Sequence, residues 1–257
     1  MGSTPILIVS GKAGSGKDTV AAFIAEKYNG VCIAQADPMK RLAGALFGFT
    51  ETQLWGPSEC RNAATKCTPV NPDAMDTVQL ARDFCEEMGL GNGWEARKLL
   101  DWYEGQFAEY LKNDVIAPRT VLQTMGTEWG REIKPSMWIE KAVGNARKLV
   151  EGGFGYARGV GLRHDKDKSF DYAIITDGRF RNEMLAVRFL GGAALRVIRP
   201  SKAAQTVGIA GHRSEKELDT IPEHFYSGTI MNDSTFDELY ERVMDEMEFH
   251  YFDTRAR

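Results

Sequence analysis

Residues 5–19, PILIVSGKAGSGKDT, combine the residue types and spacing needed to hold a chain of phosphates. Gly11, Gly14 and Gly16 let successive backbone N–H groups turn inward around an anion, with Lys12, Ala13 and Ser15 between them. The helix expected to start at Lys17 adds the positive end of its dipole. Lys17 supplies an ammonium for the outer phosphates of a nucleotide such as ATP. The residue after the lysine is usually Ser or Thr, but here Asp18 stands there and Thr19 follows. A carboxylate at that place can hold Mg²⁺ directly or through water, because magnesium takes oxygen ligands and keeps several waters. Gly11 to Thr19 are therefore read as the ATP site, with Asp18 as a metal ligand.

A second cluster lies in YAIITDGRFRNEM. An apolar strand ending in an acid is the second metal-organising element of phosphate-loop proteins, and Asp177 has that place. Arg179 follows two residues later, and Glu183 falls in the next helix. The stretch APRTVLQTMGTEWGREI puts Arg119 and Gln123 four residues apart, on one helical face. Gly126, Thr127 and Arg131 come next, and Trp138 follows a break at Pro135. An Arg can grip a phosphate through two bonds, an amide can pair with a base edge, and an indole can stack on a base. Trp138 is expected to lie close to the substrate base, with anchoring of its helix in the core as the alternative. Arg119 and Arg179 are likewise suited to structural pairing with a carboxylate such as Glu183. Asp37, Lys40 and Arg41 open a helix at the end of a second strand. They suit either the rim of the site or a capped helix with solvated basic residues. Lys17, Arg131 and Arg179 are the cations expected to act on the reacting phosphates.

These side chains need a scaffold that gathers strand ends. Apolar runs at 5–10, 30–35, 172–176, 193–199 and 228–231 alternate with helical patterns, which predicts an α/β fold. Its centre is a five-stranded parallel sheet with helices on both faces and ligands beyond the carboxyl ends of the strands. The whole chain, 1–257, reads as one domain. Residues 50–117 read as a helical insertion, with helices over about 75–88 and 94–111 after a proline-containing loop. Its aromatic stripe (Trp94, Trp102, Tyr103, Phe107, Tyr110) suits packing. The glycine-rich stretch 152–170, with Arg158, Arg163 and Lys166, is either a lid over the site or a solvated hairpin.

Composition excludes other classes. The net charge of −4 gives no basic face for DNA or RNA, so an anionic substrate must be held by local Arg and Lys. No apolar run reaches membrane-spanning length, and no secretory leader is expected. Met1-Gly2-Ser3-Thr4 lacks the polybasic companion of a lipid anchor. Cys32, Cys60, Cys67 and Cys85 form no CxxC pair and read as free thiols of a cytoplasmic protein.

On these residues the chain resembles the deoxynucleoside monophosphate kinases of tailed bacteriophages, a branch of the phosphate-loop kinases. The resemblance rests on Gly11–Thr19 with its Lys-Asp-Thr ending, on Arg119, Gln123 and Gly126-Thr127, and on Asp177-Gly178-Arg179 with Glu183. His212, Ser214-Glu215 and Asn232 also match the pattern. It implies ATP- and Mg²⁺-dependent phosphorylation of deoxynucleoside monophosphates in the host cytoplasm. It also implies that Arg119, Gln123, Thr127, Trp138, Asp177, Arg179 and Glu183 face the monophosphate. Two other readings share the loop: a small-metabolite kinase of the dephospho-coenzyme A or phosphomevalonate type, and a nucleotide-gated switch. The Gln–Trp pair favours a base over an aliphatic tail, and the guanine signature of a GTPase is missing. The oligomeric state stays open, a homodimer being one option.

Overall fold

The computed structural model describes residues 5–200 and 213–248, which fall into two compact units. One takes in residues up to Gln35 and from Ala142 onward; the other is Ala36–Lys141.

The first unit is built on a five-stranded sheet. Its strands are β1 (Ile6–Ser10), β2 (Gly30–Ile33), β5 (Tyr172–Gly178), β6 (Ala193–Ile198) and β7 (Gly228–Met231). The spatial order is β2-β5-β1-β6-β7, with every neighbouring pair parallel. These are the five apolar runs of the sequence. The central strand β1 is buried along its whole length, which is why it reads as a continuous apolar run rather than an alternation. Helix α1 (Lys17–Lys27) and helix α11 (Phe236–Met247) cover one face. Val20, Ile24, Leu239 and Val243 pack there against Leu7, Val9, Leu195 and Val197. On the other face lies α9 (Arg181–Phe189), whose Met184 approaches Ile8 beside Gly178. Between β1 and β5 the register gains a residue: Ile8 pairs with Ile175, but Ser10 pairs with Gly178. The bulge falls at Thr176-Asp177, and bulges re-aim side chains near functional sites.

The remaining elements of this unit are a hairpin and a short helix. Strands β3 (Phe154–Ala157) and β4 (Gly161–His164) pair antiparallel within the glycine-rich stretch. Phe154 carries the His164 ring at 4.3 Å on one side and Lys148 at 5.9 Å from its centroid. Helix α10 (Arg213–Thr220) precedes β7.

The second unit is helical. It holds α2 (Asp37–Phe47), α3 (Glu51–Trp55), α4 (Ser58–Asn62), α5 (Met75–Glu87), α6 (Trp94–Asn113) and α7 (Pro118–Thr124). A π-helix over Met125–Arg131 follows, and then the start of α8 (Met137–Glu151). The two long helices fall where periodicity places them. The helices α3 and α4 lie in the segment expected to be a loop. Thr50 and Gln53 cap α3 reciprocally, which gives five residues a defined start. The unit has its own core, which includes Leu42, Leu46, Phe47, Phe84, Leu99 and Tyr103. Tyr103 is fully buried, and its hydroxyl shares its one proton between the carbonyls of Leu46 and Val70, 2.8 and 2.7 Å away. Trp94, at the other end of the stripe, is 59% exposed. Among the described residues no helix is long and apolar enough to cross a membrane.

Candidate active site

In the first unit the phosphate loop joins the end of β1 to the start of α1. Ser15 N–H donates to the Lys12 carbonyl at 3.1 Å, closing a turn. Gly14 (φ 76°) and Gly16 (φ 93°) are left-handed, a conformation that L side chains adopt only with strain. Gly16 is the residue before α1, and its carbonyl accepts the first helical bond from Val20 at 3.0 Å. Having no side chain, it cannot cap the first-turn amides of Lys17, Asp18 and Thr19, which stay available to an anion. Gly11 is fixed by space instead. A Cβ there would collide with the Ser15 hydroxyl and come within 2.7 Å of the Val197 carbonyl.

Lys17 opens the helix with its side chain largely buried, at 15% exposure, and its ammonium lies 2.9 Å from the Asp18 carboxylate. Asp18 is 77% exposed, so its carboxylate offers oxygens to solvent or to a metal. Asp177 sits at the carboxyl end of β5, one residue before the pairing of Gly178 with Ser10. Its Oδ1 accepts the Gln35 N–H at 2.8 Å, which ties the ends of β2 and β5 together. Arg179 and Phe180 both donate their backbone N–H to Glu183 Oε2, at 2.7 and 3.0 Å. Glu183 is 4% exposed and stands in the first turn of α9, where it acts as the helix cap. Its carboxylate thus holds the backbone that carries Arg179.

The second unit holds the other candidates. Asp37 is buried at the start of α2, and its Oδ1 accepts the Trp55 indole N–H at 2.8 Å. The Lys40 ammonium lies 4.0 Å from the same oxygen and 5.5 Å from the centre of the Trp55 ring. Arg41 is turned to Glu87 of α5, 2.6 Å away. Helix α7 carries Arg119 and Gln123, both half-buried, and runs directly into the π-helix with Gly126, Thr127 and Arg131. Gly126 stands close to α2: a Cβ there would meet Met39 Sδ at 3.1 Å. Gly130 has no room either, since a Cβ would run into the Trp138 ring. Short π segments inside helices are frequent at functional sites, because one extra residue per turn shifts which side chains share a face. Arg131 is buried, with 8% exposure.

Trp138, expected close to the substrate base, is packed inside the second unit. It is 4% exposed, its ring lies 6.1 Å from that of Trp129 and 6.5 Å from that of Phe84, and its Nε1 donates to the Gly126 carbonyl at 3.0 Å. An indole packed this way has no open face for a base. Trp138→Phe is therefore expected to cost about 1–3 kcal/mol of stability, from lost packing and the lost Gly126 bond. The Michaelis constant for the acceptor should stay unchanged. A thermal melt read beside steady-state kinetics checks both halves.

Asn232 has a contact with the glycine-rich loop that the sequence does not disclose. It follows β7, and its Nδ2 donates to the Ser15 carbonyl of the phosphate loop at 2.8 Å. Its sequence signals are an amide at the end of a buried strand and its match to the kinase pattern. His212, matched to the kinase pattern, lies outside the described residues, as do the Ser214 and Glu215 side chains.

Comparison with known proteins follows the same direction. A protein of Acanthamoeba polyphaga mimivirus named "Putative deoxynucleotide monophosphate kinase" is 23% identical over 238 residues, 91% of each chain. The deoxynucleotide monophosphate kinase of Enterobacteria phage T4 is 23% identical over 252 residues, 94% of this chain and 98% of its own. The chain is similar to deoxynucleotide monophosphate kinases along nearly its whole length. No protein-family model matches it. The similarity to these kinases covers both compact units, so neither stands apart as an unrelated addition.

Proposed function

We propose that this chain transfers the γ-phosphoryl group of ATP to a deoxynucleoside monophosphate, giving the diphosphate and ADP. The observation that supports this most is the loop–helix junction at Gly16-Lys17. A left-handed glycine there leaves the first-turn amides open beside a largely buried ammonium, in a chain similar over nearly its whole length to deoxynucleotide monophosphate kinases.

Phosphoryl transfer asks little covalent chemistry of the protein; it asks for two anions held in line and their charge neutralised. In this reading the amides of residues 11–19 cradle the ATP phosphates, and Lys17 meets the charge that develops on the transferred group. Arg179 and Arg119 grip the acceptor phosphate through paired bonds. Gln123 and Thr127 read the nucleoside, Asp37 and Lys40 line its approach, and Arg131 supplies further positive charge. The acceptor phosphate is already ionised at neutral pH, so no general base is required. Asp18 and Asp177 fit a magnesium ion by type, each offering carboxylate oxygen. When bound, Mg²⁺ offsets charge on the ATP phosphates.

The decisive assay is ADP release across a panel of deoxy- and ribonucleoside monophosphates. Release that depends on an added deoxynucleotide supports the reading. ADP release independent of any acceptor would instead support a nucleotide-gated switch. For the metal, Asp18→Ala should raise the Mg²⁺ concentration at half-maximal rate by about tenfold, since water replaces a lost carboxylate only in part. An unmoved half-saturation point, with Asp177→Asn shifting it instead, would assign the metal to Asp177 alone.

A further inference from the structure

Taking residues 11–19 as the ATP site, we propose that Asn232 is a positioning residue that sets the direction of one phosphate-binding amide. Its Nδ2 donates to the Ser15 carbonyl at 2.8 Å, across 217 residues of sequence. In a planar trans peptide the carbonyl and the following N–H point in opposite directions. Holding the Ser15 carbonyl towards Asn232 therefore turns the Gly16 N–H away from it, to the loop's other side. Gly16 has no Cβ, so on its side nothing steric resists a flip of the Ser15–Gly16 peptide. A peptide next to such a glycine flips easily unless something external holds it, and Asn232 is that hold. The approach is close: a Cβ on Gly16 would run into the Asn232 amide.

Asn232 is itself braced. Its backbone N–H donates to the Ile198 carbonyl at 2.7 Å, at the end of β6. Arg242 of α11 grips the residues on either side, donating to the Met231 carbonyl at 2.6 Å and to Asp233 Oδ1 at 2.7 Å. The Arg242 guanidinium holds the Asp233 carboxyl below the usual carboxylate range, so the brace is ionised at neutral pH. The chain of contacts runs from Arg242 through the β7 end to Ser15, and all of it lies in the first unit.

The test is ATP·Mg²⁺ binding by calorimetry without acceptor, together with separate Michaelis constants for ATP and for the monophosphate. Asn232→Ala should weaken ATP binding by about five- to tenfold, the loss of one hydrogen bond. Asn232→Asp should do more, since a carboxylate facing the Ser15 carbonyl repels it and favours the flipped peptide. The Michaelis constant for the monophosphate should not move in either variant, which a general loss of structure would not reproduce. Arg242→Ala keeps the amide and removes the brace. It should weaken ATP binding by about two- to fivefold, and it is read in place of the Asn232 variants if those melt without cooperativity. Lys17→Ala serves as the reference. If it weakens ATP binding while the Asn232 and Arg242 variants bind like the parent, the positioning role is overturned and the loop assignment stands. Equal rises in both Michaelis constants overturn the role as well. If Lys17→Ala also binds ATP like the parent, the loop assignment fails and the role falls with it.

Discussion

Lys17→Ala lowers kcat by about 10²–10³-fold and leaves the thermal melt where it was. The two halves of this expectation have separate causes. The rate falls because the ammonium meets negative charge that is largest in the transition state. A contact that strengthens along the reaction appears in kcat and not only in affinity. The melt holds because the ammonium's carboxylate neighbour is the exposed Asp18. An exposed ion pair contributes little to stability. Lys17→Arg is the informative companion. It keeps the charge but brings a larger planar head to a side chain that is only 15% exposed, so charge alone should not restore the rate. A Lys17→Ala enzyme with near-parental turnover would remove the loop from the catalytic site.

The sheet was legible chiefly through its central strands β1 and β5, whose residues Ile6–Val9 and Ala173–Ile175 are buried and appear as apolar runs. The glycine-rich turn between β1 and α1 was legible because its pattern lies in neighbouring residues, and Gly14, Gly16 and Lys17 need no distant partner to be recognised. What stayed hidden depends on contacts far apart in sequence. Arg41 meets Glu87 across 46 residues and Asn232 meets Ser15 across 217, and no local pattern announces either pair. Trp138 offered two roles because an indole suits both a core and a base; its packing against Trp129 and Phe84 involves residues that no local pattern links. The π-helix is beyond local reading too. It differs from an α-helix by one residue per turn, and here Gly126 and Gly130 sit where Met39 and Trp138 leave no room for a Cβ. The capping pair Thr50 and Gln53 was a readable signal for α3, set among prolines that suggested a loop.

Arg179→Lys is expected to lower kcat/KM for the monophosphate by about 10²-fold, with ATP affinity in the absence of acceptor unchanged. The size follows from geometry. A guanidinium can give a phosphate two parallel charge-assisted bonds, whereas an ammonium presents a point charge that cannot match them. The backbone beneath Arg179 is held on both sides, which makes its position worth that much. Gly178 has Met184 Cε 2.6 Å and Ile8 Cγ1 2.8 Å from where a Cβ would sit, and the Arg179 N–H is bound by Glu183 at 2.7 Å. Arg119→Lys should act in the same direction through the acceptor. Glu183 then separates positioning from contact. Glu183→Gln keeps an acceptor oxygen for the Arg179 and Phe180 amides, since either residue serves at this place in a capping box, and should retain turnover. Glu183→Ala leaves two amides without that acceptor and should cost about 2–3 kcal/mol of stability, with acceptor affinity falling as Arg179 loses its anchor. Loss of turnover in Glu183→Gln with an intact melt would mean that the carboxylate touches substrate after all. If Arg179→Lys and Arg119→Lys both keep parental kinetics, the acceptor phosphate is held elsewhere. Arg131, buried in the π-helix, and Lys40, beside Asp37, are then the cations to replace.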